Sequence, residues 1–511
     1  MCVDMASLLF SLVLGFCTMV VYILMAAWYF TPLKIQRIFK RQGINGPPPP
    51  SLFSGNLSQM RRMKNVHESS FKDGFHDYTE DIFPYFDQWR KAYGATFLYW
   101  MQRRPALYVT DPSLIREISL CVSLDIGKPT YLQKGQEPLF GQGIIKSNGP
   151  HWARQRKLIS PEFFMDKVKG MVGVMVQAAE PIIIAWEGII GEGEGSTGVI
   201  AVDEYLRSYS ADVISRECFG SDYGRGKEIY GKLKELSIKM TKSKLIFELP
   251  YLRFFPTKQK RELRALVQDI NSQILQVVKE RKDQANNASL HRDFLQSIMG
   301  SKMEFTDELI VDNCKNIYFA GFDTIAATAI WCMMLLAAHP DWQSRTRAEV
   351  IDVCDKRPLD FDMLTKMKTL TMVIQETLRL FPPASFVARE TFRDIKIGTL
   401  HVPKNVNMWI PISTMHHDKS IWGPDADKFN PNRFANGISG SCKKPYVFMP
   451  FGIGARTCLG QNLAMVELKV IMGLILSKFS FALAPEYQHS PAFRMVVEPE
   501  FGMLLIMKKV A

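Results

Sequence analysis

Paired cysteines are absent from this 511-residue chain: its nine cysteines are odd in number, scattered, and form no CxxC. That excludes a disulfide framework of the secreted kind and fits free thiols in a reducing compartment. A nucleotide fingerprint is missing too, because no strand runs into GxGxxG and a helix. The chain therefore lacks a flavin or nicotinamide site of its own, and redox chemistry here would draw electrons from a separate protein. No internal repeat occurs, no long linker follows residue 51, and low complexity is confined to 191–198 (GEGEGSTG), which reads as a solvated loop. With 47% hydrophobic and 22% charged residues the composition is globular.

Charge is missing altogether from residues 6–30. A bilayer core takes roughly 20 such residues as helix, whereas a cleaved signal has a shorter apolar core behind a basic start. Here the order is reversed, with Asp4 ahead of the run and Lys34, Arg37, Lys40 and Arg41 behind it. The reading is a retained anchor with a lumenal N-terminus and everything after Phe30 in the cytosol. The net charge of +12 belongs largely to this flank: between Thr31 and Lys72 eight basic residues face Glu68 alone. Such a cluster beside a span points to lipid headgroups and not to nucleic acid. With that topology the sequons at Asn56 and Asn287 stay unmodified. The run Gly46-Pro-Pro-Pro-Pro50 then acts as a stiff non-helical spacer. The expected organisation is an anchor over 1–30, a basic flank and proline-rich hinge over 31–50, and a catalytic domain over 51–511.

Residues 97–110 (FLYWMQRRPALYVT) read as a hairpin whose runs are separated by Arg103, Arg104 and Pro105. Helical periodicity dominates afterwards, over 113–119, 151–159, 166–190, 202–219 and 258–286, and strand signals return after Arg389. The fold class is mainly α with small β-sheets, in one compact body behind one transmembrane helix.

Cys458 sits in Phe451-Gly452-Ile-Gly454-Ala-Arg456-Thr-Cys458-Leu-Gly460, just ahead of an apolar helical pattern over 461–479. Glycines let the backbone turn tightly and aim amides at sulfur, and a helix N-terminus favours a thiolate. Glu376 and Arg379 share a helix face at i, i+3. Within an apolar helix over 317–337, Ala320-Gly321-Phe322-Asp323-Thr324 places a glycine, an acid and a hydroxyl where core packing has no use for them.

Together these residues resemble the cytochrome P450 superfamily, with FxxGxRxCxG held by Phe451, Gly454, Arg456, Cys458 and Gly460. The resemblance implies the cytochrome P450 fold and a thiolate-ligated haem b with Cys458 on the iron, whose electron donation favours O–O cleavage. It implies a structural triad of Glu376, Arg379 and Arg433, the last in Phe429-Asn-Pro-Asn432-Arg433, where Asn432 replaces the commoner Glu with a small structural effect. It implies a distal motif in which Gly321 makes room for dioxygen and the catalytic pair Asp323 and Thr324 relays protons. Ile325 departs from that pattern. Haem propionates are expected on Trp152 and Arg156 of a WxxxR helix, on Arg389 and on Arg456. The partners implied are O2, a small hydrophobic substrate, membrane lipids and a separate NADPH-cytochrome P450 reductase, met by Lys157, Lys443 and Lys444.

Residues 41–49, 147–152, 312–321 and 487–491 further resemble the plant group of gibberellin-hydroxylating and gibberellin-epoxidising enzymes. The implied substrate is a tetracyclic diterpenoid acid, with a triterpenoid or other lipid as the alternative. A haem-thiolate isomerase or dehydratase, or a haem sensor, would not need Asp323 and Thr324. The implied location is the endoplasmic reticulum membrane, single-pass. The expected pocket walls are the 132–145 loop, Phe319, Phe322 and Ser385 to Val387.

Overall fold

The computed structural model describes residues 2–25, 31–51, 54–63, 78–192, 197–220, 223–242, 257–283, 293–300 and 305–510. Along the chain, α1 spans Cys2–Met25, α2 Thr31–Arg41, α3 Gly149–Ile159, α4 Val202–Phe219, α5 Tyr223–Lys242, α6 Asp307–Ala338, α7 Lys368–Leu380 and α8 Gln461–Lys478, with other helices between. Six strands recur below: β1 (Thr96–Met101), β2 (Arg104–Val109), β3 (Phe386–Thr391), β4 (Asn407–Pro411), β5 (Pro491–Arg494) and β6 (Val496–Pro499). The mainly α composition with small sheets agrees with the sequence reading. The described residues group into two compact units, Met1–His67, Thr79–Gly127 and Ala388–Pro411 in one and Glu68–Tyr78, Lys128–Val387 and Ile412–Ala511 in the other.

The first unit is built on a five-stranded sheet ordered β1-β2-β4-β3 and then Ile126–Gly127. The hairpin turn lies at Gln102 and Arg103, with Gln102 at φ 58°, so Arg104 and Pro105 belong to β2 and not to the turn. Phe86, Phe97 and Tyr108 stack on one another against this sheet, with ring centroids 4.5 and 4.9 Å apart. The segment before the prolines lies on β1: Leu98 N donates to Asn45 O at 3.0 Å, and a Cβ on Gly46 would fall 1.7 Å from Leu98 O. Only glycine fits there. Asn56 is fully buried, accepting from Trp100 N and donating to Pro48 O, so this sequon is out of reach of modification. Asn287 lies outside the described residues.

The second unit holds the other helices around α6. Where the apolar pattern puts the start at residue 317, the helix begins at Asp307, capped by Thr306 through Leu309 N and carrying Asp307 and Glu308 in its first turn. The polar residues of its first half are consumed by contacts described below. Its second half, Ile325 to Leu336, is buried all round, which marks a core helix. Helix α5 was not read from the sequence because Gly224, Gly226 and Gly231 blur it. Its stripe of Ile229, Leu233, Leu236 and Met240 is fully buried nonetheless. Both ends of the stretch 191–198 read as a loop are regular structure: a helix runs to Glu192, and Thr197–Ala201 is a strand paired with Leu504–Lys509, while 193–196 lie outside the described residues.

Candidate active site

The cysteine loop turns at two glycines, Gly452 at φ 78° and Gly454 at φ 68°, conformations that side chains with a Cβ adopt poorly. The turn closes by Cys458 N donating to Phe451 O at 2.8 Å. Gly460 differs from the other two: it has φ −85°, serves as N-cap of α8, and its amide bonds to the Cys458 sulfur. The sequence reading expects a thiol pushed toward thiolate by the helix end. In the structure burial raises the Cys458 thiol above its usual range, and the Gly460 amide and Arg156 offset this only in part. Cys458 nevertheless keeps exposed surface, so the sulfur can be reached by a ligand.

Behind the loop, Arg379 donates to Glu376 through Nε at 2.7 Å and Nη2 at 2.8 Å, both side chains being fully buried on α7. Three carbonyls, of His416, Ala426 and Lys428, take the remaining guanidinium hydrogens. Arg433 stands 3.4 Å from the same carboxylate, and Asn430 N donates to it at 2.9 Å. A buried charge is tolerated when its partners are this complete. Asn432 points to the surface, which agrees with the expected small effect of that departure. One member was not read from the sequence: His416. Its Nε2 accepts from Met449 N at 3.0 Å, so Nδ1 carries the hydrogen and donates to Arg379 O at 3.1 Å. Burial, with Arg379 close by, lowers its pKa to about 3 and keeps the ring neutral. It ties the cysteine loop to α7.

On α6, Thr324 Oγ1 donates back to Ala320 O at 2.8 Å, and Ala320 is exposed in a helix whose other central residues are mostly buried. Ser210 of α4 donates to Gly321 O at 3.0 Å and lies equally close to Glu467 of α8. The space at Gly321 has a different owner from the one expected. A Cβ there would meet Ile214 Cδ1 at 2.7 Å, so the glycine lets α4 approach α6. Asp323 pairs with Arg207 of α4, which also pairs with Glu498 of β6. Burial raises the Asp323 carboxyl to about 6 although Arg207 pulls it down. Arg207, Ser210 and Glu498 gave no motif. The available signal was polar residues recurring in α4, where Ser210, Asp212 and Ser215 are buried.

Trp152 is brought together with two guanidinium groups, Arg456 at 4.1 Å and Arg156 at 5.8 Å from its ring. Arg156 donates to Thr457 O at 2.8 Å, and Arg456 to Ser147 O and Asn148 Oδ1. The Thr457, Ser147 and Asn148 acceptors are neutral. Arg389 lies on β3 within the first unit, buried and donating to Ala388 O. Burial lowers its pKa to about 10.

Of the proposed pocket walls, the 140–146 loop is clamped to α6. Asp312 accepts from Gln142 N, Asn313 from Ile144 N, and Asn316 from Ile145 N while donating to Phe140 O. Phe140 meets Phe319 edge-on at 5.0 Å. Phe322 is a correction: fully buried against Tyr230 at 4.8 Å, it is core packing and not a wall.

A reachable cysteine in a glycine turn, ahead of a helix and with two guanidinium groups nearby, fits a thiolate-ligated haem. The fold and site thus define a haem-thiolate protein. The family model described as Cytochrome P450 matches residues 47–507. The chain is 51% identical to Cytochrome P450 714D1 of Oryza sativa subsp. japonica over 95% of its own length and 91% of that protein. It is 46% identical to Cytochrome P450 714B3 of Zea mays (97% and 94% covered) and 42% to Cytochrome P450 714A2 of Arabidopsis thaliana (92% and 93%). The chain belongs to the cytochrome P450 family, and to the 714 group within it. It is a monooxygenase that uses haem b, O2 and electrons from a redox partner.

Proposed function

We propose that this monooxygenase hydroxylates or epoxidises a tetracyclic diterpenoid acid, a gibberellin or an ent-kaurenoid precursor. The observation that carries this is the end-to-end similarity to the 714 group, which includes the plant-type segments at 312–321 and 487–491. Apolar walls from Phe140 and Phe319 suit a rigid hydrocarbon skeleton.

Haem held by Cys458 supplies the activation of dioxygen, so that one oxygen atom enters the substrate. The protein's own work is to hold the sulfur and to meter protons. Glu376, Arg379, Arg433 and His416 fix the cysteine loop from behind. Trp152, Arg156 and Arg456 would hold the propionates. Thr324 Oγ1 holds a hydrogen that it could redirect from Ala320 O, and Asp323 would be the proton source that replenishes it. The enzyme sits in the endoplasmic reticulum membrane by α1, whose Leu9, Phe10, Leu12, Phe16 and Tyr22 side chains are exposed. Exposed Lys157 and Lys443, with Lys444, offer charge to an NADPH-cytochrome P450 reductase.

The test is the product profile of the microsomal protein with a plant reductase and NADPH, offered gibberellins, ent-kaurenoic acid and a triterpenoid acid in parallel. Oxidised gibberellin or kaurenoid supports the reading. Turnover of the triterpenoid alone moves the enzyme to that substrate class.

A further inference from the structure

Arg207 has one guanidinium group and two carboxylates to serve. Its Nη1 donates to Asp323 and its Nη2 to Glu498, and all three side chains are largely buried. Glu498 cannot easily turn away, because its strand is pinned on both sides. Val497 N donates to Pro383 O at 3.0 Å, Trp331 Nε1 donates to Val497 O at 3.0 Å, and Ala492 of β5 pairs opposite Glu498. We propose that Glu498 is a positioning residue for oxygen activation: by taking half of Arg207 it leaves Asp323 free to carry a proton. The proposal rests on the reading of Asp323 as the proton source.

Charge balance supports it. Two carboxylates share one buried guanidinium in a poorly solvated place, with the half-exposed Arg494 as a further ion-pair partner of Glu498, and protonating one of them relieves their mutual repulsion. Around Asp323, Arg207 faces it from α4, Glu498 from β6, and Tyr230 and Lys234 from α5; Lys234 is itself tied to Glu204 at 3.1 Å. Arg494, half exposed, stands 3.7 Å from Glu498 and is the nearest alternative cation for it. Glu498 raises the Asp323 carboxyl and Arg207 lowers it, so the two act on the proton in opposite senses. A coupled cycle consumes O2, two electrons from NADPH and two protons, and yields one oxygen in product and one water. When protons arrive late, the same electrons leave as hydrogen peroxide.

The experiment measures hydrogen peroxide released per NADPH oxidised across about pH 5 to 9, using the full-length enzyme with reductase and ent-kaurenoic acid as probe. Glu498→Gln gives Arg207 wholly to Asp323 and is expected to move the pH limb of coupling down by about one unit, with correspondingly more peroxide at neutral pH. Arg207→Gln is expected to move it up by a similar amount. Asp323→Asn is expected to abolish the limb. The proposal is overturned if Asp323→Asn removes the limb while Glu498→Gln, or Arg207→Gln where the former does not retain haem, leaves it at the wild-type pH. If Asp323→Asn changes nothing, the underlying reading of Asp323 fails instead.

Discussion

A β-carbon on Gly321 would lie 2.7 Å from Cδ1 of Ile214. The glycine in the distal helix is therefore required by the approach of α4, which also delivers Arg207 and Ser210 to the same turn. Gly321→Ala is expected to cost about 1–3 kcal/mol of stability through overpacking. Ile214→Ala removes both atoms closer than 3 Å, so the double variant should lose less than the sum of the two single losses, read as non-additivity in a denaturation double-mutant cycle. Additive losses would place the glycine's purpose on another side of the helix.

Arg379→Lys is expected to be severe despite preserving charge. Lysine cannot reproduce the paired bonds to Glu376 together with three carbonyl contacts. Disrupting a buried pair this way costs about 3–5 kcal/mol, so the variant should lose haem or unfold at markedly lower denaturant. The reduced carbon monoxide spectrum and a urea titration report the two effects separately.

Asn316 joins both ends of the 140–146 loop to α6 through one amide. Asn316→Ala leaves a backbone N–H and a carbonyl unpaired in a buried place, a loss of about 1–3 kcal/mol. Because the loop carries Phe140 against Phe319, the product distribution should broaden as well. Unchanged products with lowered stability would show that the clamp serves folding alone.

Burial, helped by nearby Asp293, raises the Glu217 carboxyl from its usual range to about 7. A carboxyl raised in the folded state binds more protons than in the unfolded chain, so its contribution falls as pH rises from about 4 to about 7. Glu217→Gln removes that dependence. Urea midpoints of the variant and the parent should agree near pH 5, and the variant should be the more stable at pH 8. Glu217 is partly exposed, which limits the size of the gain.

Cys458, Glu376, Arg379 and Thr324 were legible in one dimension because their chemistry needs fixed local spacing. A thiolate loop, an i, i+3 ion pair and a hydroxyl one turn from its acceptor carbonyl are all made within a few residues of chain. Arg433 was found through resemblance, and the structure places it 3.4 Å from Glu376. Asn56 shows the opposite case. Its sequon is written in the sequence, yet what closes it is burial between Trp100 and Pro48. Phe322 read as a wall by its position on the distal helix beside Phe319, and only the rotation of α6 turned it toward Tyr230.

By itself the sequence determined the helical class, the cysteine in its glycine turn, the i, i+3 glutamate–arginine pair and the apolar N-terminal segment, since composition, periodicity and short spacings encode each of them, while the haem reading came through resemblance. Tertiary structure decided the rest. His416 fastens the cysteine loop across a sequence gap, Ile214 dictates a glycine on another helix, and Arg207 divides itself between carboxylates from α6 and β6. Those relationships join residues far apart in the chain, and a carboxylate's proton depends on which charges surround it in space.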